Sequence, residues 1–191
     1  MLDRYISKGG QKLRLGYTTG SCAAGAAKAA AQKLISGIFP DRVFLMTPKG
    51  IGLELDILDK SSGEGYACCA VEKDGGDDPD ITSGIYVYAR AEKIPEGVEI
   101  AGGEGIGIVT KAGLDRPVGD YAINTVPRKM ITAAVMETAE LFEYKGGIKI
   151  TVFVPVGAEL AKKTYNPRMG IEGGISIIGT SGIVEPMSTA A

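Results

Sequence analysis

The 191-residue sequence contains no histidine, no tryptophan and only three cysteines. Without histidine there is no Ser-His-Asp or Cys-His system, no imidazole base and no histidine metal ligand. Proton transfer would then fall to carboxylates, lysines, tyrosines or cysteines. Cys22, Cys68 and Cys69 are odd in number and lack CxxC spacing, so neither a disulfide framework nor a zinc site is expected, and a reducing compartment fits. A strong charge balance is missing too. A net charge of −2 provides no global field for nucleic acid or an anionic membrane, and an anionic ligand would need local sites. Long apolar runs are also absent. The most apolar stretch, Ser21–Ile38, holds lysines and glycine, and residues 1–14 are polar and basic. No membrane span or signal peptide is read, and a cytoplasmic protein is expected.

Among what is present, 45% apolar and 23% charged residues match an ordinary globular domain and exclude a disordered or collagen-like chain. Glycine, at 28 residues, is about twice its usual share of ~7%. Residues 1–15 contain Gly9-Gly10 and read as a loosely held arm. The run SCAAGAAKAAAQKLISGI from Ser21 to Ile38 is helix by alanine propensity, with Ser21 as N-cap and Gly37 as stop. Short strands follow at Arg42–Thr47, Leu53–Leu58 and Tyr66–Lys73, and another at Ile85–Lys93 with both faces half-exposed. After the glycine-dense turn 102–107 comes Ile108–Lys111. Pro127 opens a second helix to about Glu143, carrying Ile131, Ala134, Val135 and Thr138 at helical spacing. Alternation from Ile148 to Val156 marks the clearest strand. A helical piece at Ala158–Thr164 and a glycine-rich end at Met169–Val184 complete the chain. Several half-buried strands and two long helices predict an α+β fold, a mixed and largely antiparallel sheet with helices on one face, as a two-layer sandwich. The closing Glu185-Pro186-Met187-Ser188 followed by alanines reads as the start of another helix.

Four segments could carry chemistry. Thr18, Thr19 and Ser21 stand at the mouth of the alanine-rich helix, where free N–H groups and the dipole favour an anion; simple capping by Ser21 or Thr19 is the alternative. Cys22 there is either an activated thiolate or a small buried residue. The loop KDGGDDPDIT at 73–82 packs four aspartates into seven residues. It is either a solvated turn or the source of a carboxylate base or a hydroxyl-binding group. GGEGIG at 102–107 fails the GxGxxG pattern and leads into strand, so a dinucleotide fingerprint is not expected, while close approach of a ligand to backbone stays open. NTVPR at 124–128 and KTYNPR at 163–168 each place an arginine beside a stiffening proline, suited to carboxylates.

Together, GYTTGSCAAGAAKAA (16–30), DGGDDPDIT (74–82), GGEGIGIVTKAGL (102–114), AINTVPRKMI (122–131) and KTYNPRMGIEGGISIIGTSGIVEPMS (163–188) resemble the cobalamin biosynthesis protein CbiD family in content and order. The resemblance implies S-adenosylmethionine-dependent methylation of ring carbon 1 of cobalt-precorrin-5B, a cobalt-containing tetrapyrrole, giving cobalt-precorrin-6A in anaerobic corrin synthesis. It further implies that residues 1–191 are an N-terminal α+β domain and that a C-terminal α/β domain lies beyond them. Under this reading Asp74, Asp77, Asp78 and Asp80 are the candidates for a base. The candidate contacts to substrate or cofactor are Thr18, Thr19, Ser21, Thr82, Gly102, Gly103, Gly105, Asn124, Arg128, Lys163, Asn166, Arg168, Gly173, Gly174 and Thr180. The methyl donor is S-adenosylmethionine, no protein-bound metal is expected, and the partners are the tetrapyrrole and, as an option, further copies of the chain. A non-catalytic corrinoid- or anion-binding domain is the alternative. Ser21, where threonine is equally expected, and Gly25, where alanine is, depart mildly from the pattern.

Overall fold

The computed structural model describes residues 2–187. The chain opens with a hairpin, β1 (Tyr5–Lys8) and β2 (Gln11–Arg14), followed by β3 (Gly16–Tyr17) and helix α1 (Thr19–Ser36). A second hairpin pairs β4 (Arg42–Met46) with β5 (Gly52–Asp56). Then come β6 (Leu58–Gly63), β7 (Tyr66–Glu72), β8 (Tyr86–Ile94), β9 (Val98–Gly102) and β10 (Ile108–Val109). Helix α2 (Thr125–Leu141), β11 (Gly147–Phe153), α3 (Gly157–Ala161), α4 (Asn166–Met169), β12 (Ile171–Glu172) and β13 (Ile183–Val184) complete it.

The main sheet has the order β6-β7-β8-β11-β9. All its pairs are antiparallel except β11 with β9. This is the expected mixed sheet, and α1 lies over β7 and β8 with α2 packed beside it. The two-residue alternation of β11 buries Ile148, Ile150 and Val152 under the helices and leaves Lys149, Thr151 and Phe153 on the other face. Each such isoleucine contributes about 1.5–3 kcal/mol by leaving water. In β8 the inner face, Val87, Ala89 and Ala91, is fully buried; only the outer face, with Tyr88 and Arg90, is half-exposed. On that outer face Tyr88 stacks on Phe153 at 4.8 Å and Arg90 sits 3.9 Å over Tyr66.

Helix α1 is buried on nearly all sides from Thr19 to Ala31. Alanine is the reason it can be. A helix enclosed by the sheet, α2 and the β4–β5 hairpin needs apolar but thin faces all round. Gly25 is the thinnest point: a Cβ there would stand 2.5 Å from Leu55 Cδ1, which accounts for glycine where alanine was expected. The helix starts three residues earlier than the expected Ser21 cap. Thr18 is the N-cap, accepting the Ser21 N–H at 3.2 Å, and Gly37 closes the far end by donating to Lys33 O.

The N-terminal residues form a hairpin where a loose arm was expected. Gly9 and Gly10 both take positive φ, 56° and 80°, the requirement of the tight turn that matches strand twist. Leu15 N–H then bonds to Arg4 O and its side chain is buried. Strands β6 and β9 were also missed: β6 is exposed and polar, and β9 follows a proline and a glycine that read as loop. The expected helix start runs through Ser188 to Ala191, outside the described residues.

Candidate functional site

The strip from Gly170 to Val184 ties together segments that are far apart in sequence. It pairs with β10 through β12, forms parallel bridges from Ile175 to Ile106 and from Ile177 to Ile123, and pairs with β3 through β13. By doing so it brings the N-termini of α1 and α2 side by side: a Cβ on Gly20 would lie 2.8 Å from Pro127 Cγ and 3.0 Å from Ile178 O.

At the mouth of α1 the donors are engaged by the chain itself. Gly20 N–H bonds to Ile178 O, Thr19 Oγ1 both donates to Ile178 O and accepts from Ile178 N–H, and the Ser21 hydroxyl donates to Gly182 O at 2.7 Å. Thr18 and Ser21 are buried, and Thr180 is exposed on the overlying strip. Cys22 is fully buried, and burial pushes its thiol up to about 12. It is the small core residue of the two alternatives, not an activated thiolate.

The four aspartates do not form one cluster of free carboxylates. Asp74 takes a two-pronged contact from Arg14, at 2.5 and 2.7 Å. Burial raises its pKa, but the Arg14 guanidinium and the Gly76 amide outweigh that and leave it below the ordinary carboxylate value. Asp77 accepts the Arg14 N–H. Asp80 holds the buried Lys73 at 2.6 Å and accepts the Thr82 hydroxyl and N–H. Asp78 alone of the four has no side-chain partner among the described residues.

The glycine-dense turn faces the protein. A Cβ on Gly105 would stand 1.8 Å from Val154 O, one on Gly174 2.2 Å from Gly105 O, and one on Gly102 2.4 Å from the Tyr121 ring. Gly103 is packed on Thr151 and Phe153, whereas Gly173 opens to solvent. These glycines let three backbone segments cross, and a ligand nucleoside does not fit against Gly102, Gly105 or Gly174. Near the strip, Asn166 donates to Gly174 O and Ser176 Oγ, Arg168 lies over Tyr165, and Lys163 is exposed.

The second helix carries a groove of about 370 Å³. Its cationic end is formed by Arg116, Arg128 and Lys129. Arg128 is anchored by Nε to Ile123 O at 2.9 Å and by Nη1 to Ile100 O at 3.2 Å. Its guanidinium is pushed below its ordinary pKa by burial and then by Arg116. Arg116 donates Nη2 to Asp120 at 2.6 Å, while its Nε is buried without a partner. Asp115 stands at the helix start beside the groove, where it accepts the Thr125 N–H and hydroxyl and does the capping that Asn124 does not. Thr125 and Thr132 border the groove, and Ala133 and Met136 form an apolar wall one to two turns further along. Two guanidiniums and an ammonium beside a helix N-terminus make a setting that favours a carboxylate or phosphate.

The sequence profile of the CbiD family matches residues 6–186. The chain belongs to the CbiD family. Among its CbiD-family relatives, the cobalt-precorrin-5B C(1)-methyltransferase of Ruminiclostridium cellulolyticum is 52% identical over 190 residues, covering 100% of this chain and 50% of that protein. The enzyme of the same name from a Thermoanaerobacter species is 53% identical over 191 residues, covering 100% and 51%. In structure the chain is similar to the crystal structure of a cobalamin biosynthesis protein (cbiD) from Archaeoglobus fulgidus, with a TM-score of 0.72 and 34% identity over 96% of this chain and 58% of that one. The chain spans about half the length of the curated relatives it matches.

Within this CbiD-family chain, Arg128 is the one residue singled out in the sequence that lines the groove; Asn124 stands at the helix N-cap outside its lining, and the other lining residues were not singled out. The signal was partly there: Thr125, Arg128 and Lys129, Thr132 and Met136 recur at three- and four-residue spacing, one face of a helix. Arg116 had no such signal, because a loop brings it back to the helix start. Among the described residues no group of three or more His, Cys, Asp or Glu is placed to hold a metal, and no helix is long and apolar enough to cross a membrane.

Proposed function

We propose that the chain acts in the methylation of ring carbon 1 of cobalt-precorrin-5B, giving cobalt-precorrin-6A, with S-adenosylmethionine as methyl donor, in the cytoplasm. The observation that carries this is identity of 52–53% along the entire chain to enzymes bearing that activity in their name. The cobalt arrives as part of the substrate, so the reading requires no protein-bound metal.

The reaction displaces the methyl group from sulfur to a ring carbon, and the main demand on protein is positioning. The carboxylate fringe of the tetrapyrrole needs cationic donors, for which this chain offers Arg116, Arg128 and Lys129. For a proton leaving the ring, the unpartnered carboxylate is Asp78, since Asp74 and Asp77 are bonded to Arg14 and Asp80 to Lys73. The glycine turn, packed on backbone and on Tyr121, offers no cradle for the methyl donor. The test is to mix the chain with cobalt-precorrin-5B and S-adenosylmethionine carrying a ¹³C methyl group, then follow the tetrapyrrole by NMR and absorption. A labelled methyl on carbon 1 supports the reading. A changed absorption spectrum without methyl transfer would replace it with the corrinoid-binding alternative, and no change in either would overturn both.

A further inference from the structure

The α2 groove has two chemically different ends, and their arrangement names the ligand more narrowly than a cluster of cations would. Its cationic end coincides with the N-terminus of the helix, where Lys129 has no polar partner among the described residues and Arg116 keeps a buried Nε unpaired. Asp120 through Arg116, and Asp115 bonded to Thr125 at the helix start, balance two of the three positive charges and leave a net charge of one. The remaining surplus is one to be met by an anion from outside. The other end, Ala133 and Met136, is apolar and exposed, with Met136 at 59%. A free phosphate would satisfy the first end and leave the second bare. At about 370 Å³ the groove falls near the lower bound of about 300–1,000 Å³ for ligand pockets, so it admits an edge and not an entire macrocycle.

We infer that the α2 groove grips one carboxylate-bearing edge of a tetrapyrrole, the carboxylate held by Arg116 and Lys129 and the ring edge lying along Ala133 and Met136. The identity of the ring rests on the proposed function; the amphipathic character does not. Arg128 holds the wall in place through its bonds to Ile123 O and Ile100 O, and presents its remaining amine to the same anion.

The probe is uroporphyrin I, a soluble porphyrin carrying carboxylates round its rim, titrated into the 191-residue chain by absorption and fluorescence. Arg116→Gln and Lys129→Gln should each weaken binding roughly tenfold, which is about 1.4 kcal/mol, and the effect should shrink at high salt. Met136→Asp should weaken it by a similar factor. A porphyrin bearing cationic pyridinium groups in place of carboxylates should not bind, and inorganic phosphate should compete only weakly. Thermal unfolding of each variant keeps folding out of the comparison: Lys129→Gln and Met136→Asp, at exposed positions, should stay within a few degrees of wild type, and Arg116→Gln, which also loses the half-exposed Asp120 pair, should lose no more than about 1 kcal/mol. Unchanged uroporphyrin affinity in the variants, or phosphate binding as tight as porphyrin, would overturn the inference. Wild-type methyl transfer together with unchanged variant affinities removes this site and leaves the reaction standing; variant losses with no methyl transfer do the reverse.

Discussion

Replacing Gly105 with alanine tests whether the glycines of the 102–107 turn serve packing or a ligand. Gly105 has φ of +73°, and its Cβ would be placed 1.8 Å from Val154 O and 3.0 Å from Gly157 N. A left-handed conformation costs a side-chain-bearing residue about 1–2 kcal/mol. Overpacking adds about 1–3 kcal/mol, and here the obstacle is backbone, which cannot rotate away. The sum, roughly 2–5 kcal/mol, is a large part of a typical stability of about 5–15 kcal/mol. At about 2–4 °C per kcal/mol for a chain of this size, the melting temperature should fall by roughly 5–20 °C. Gly173→Ala supplies the comparison, because Gly173 has φ of +82° but nothing within 4 Å of its would-be Cβ. It bears the conformational cost alone, about 1–2 kcal/mol before the gain from a stiffer unfolded chain. Thermal unfolding followed by circular dichroism reads both. Equal shifts in the two variants would refute the view that Gly105 exists to let three backbone segments cross.

Other outcomes follow from the ion pairs, caps and thiols. Asp74 is held below the ordinary carboxylate value in the fold, so its stabilisation is present above the unfolded value of about 3.9 and is lost as pH falls through the lower folded one. Asp74→Asn should therefore cost about 1–2 kcal/mol at neutral pH, with the gap between variant and wild type closing in acid urea titrations below that window; a gap independent of pH would contradict the Arg14 pairing. Thr18→Ala should lower stability by about 1 kcal/mol through loss of the cap, measured by urea unfolding, whereas a neutral result would return the cap to Ser21. Burial pushes the thiols of Cys22 and Cys69 up to about 12, so iodoacetamide at neutral pH should modify neither until the chain is unfolded, as read by mass spectrometry.

Legibility of the sequence divided along physical lines. The alternation in β11 and the alanine run of α1 are local patterns, and both elements form there, although β11 stops at Phe153 short of the expected Val156 and α1 is capped at Thr18 ahead of the expected Ser21. The run said helix but not that the helix would be enclosed, since Leu55, Val71 and Ile131 reach it from distant parts of the chain. Strand β9 takes its identity from parallel pairing with β11 across an intervening helix, a contact that no local window contains. Arg128 was readable from its proline and its place at a helix start. Arg116 was not, since only the turn through Asp120 brings it to the groove. The glycine excess was legible as a demand for close approach, but whether backbone or ligand does the approaching is decided by Val154 and Gly157, some fifty residues downstream in sequence.

The most direct measurement is the titration of cobalt-precorrin-5B with the wild-type chain and with Arg116→Gln and Lys129→Gln, followed by the absorption of the tetrapyrrole. The account predicts a saturable spectral change with wild type and roughly tenfold weaker binding for each variant, the size of one lost charge-assisted contact. A tetrapyrrole spectrum left unchanged by the wild-type chain, or identical affinities for all three proteins, would contradict it.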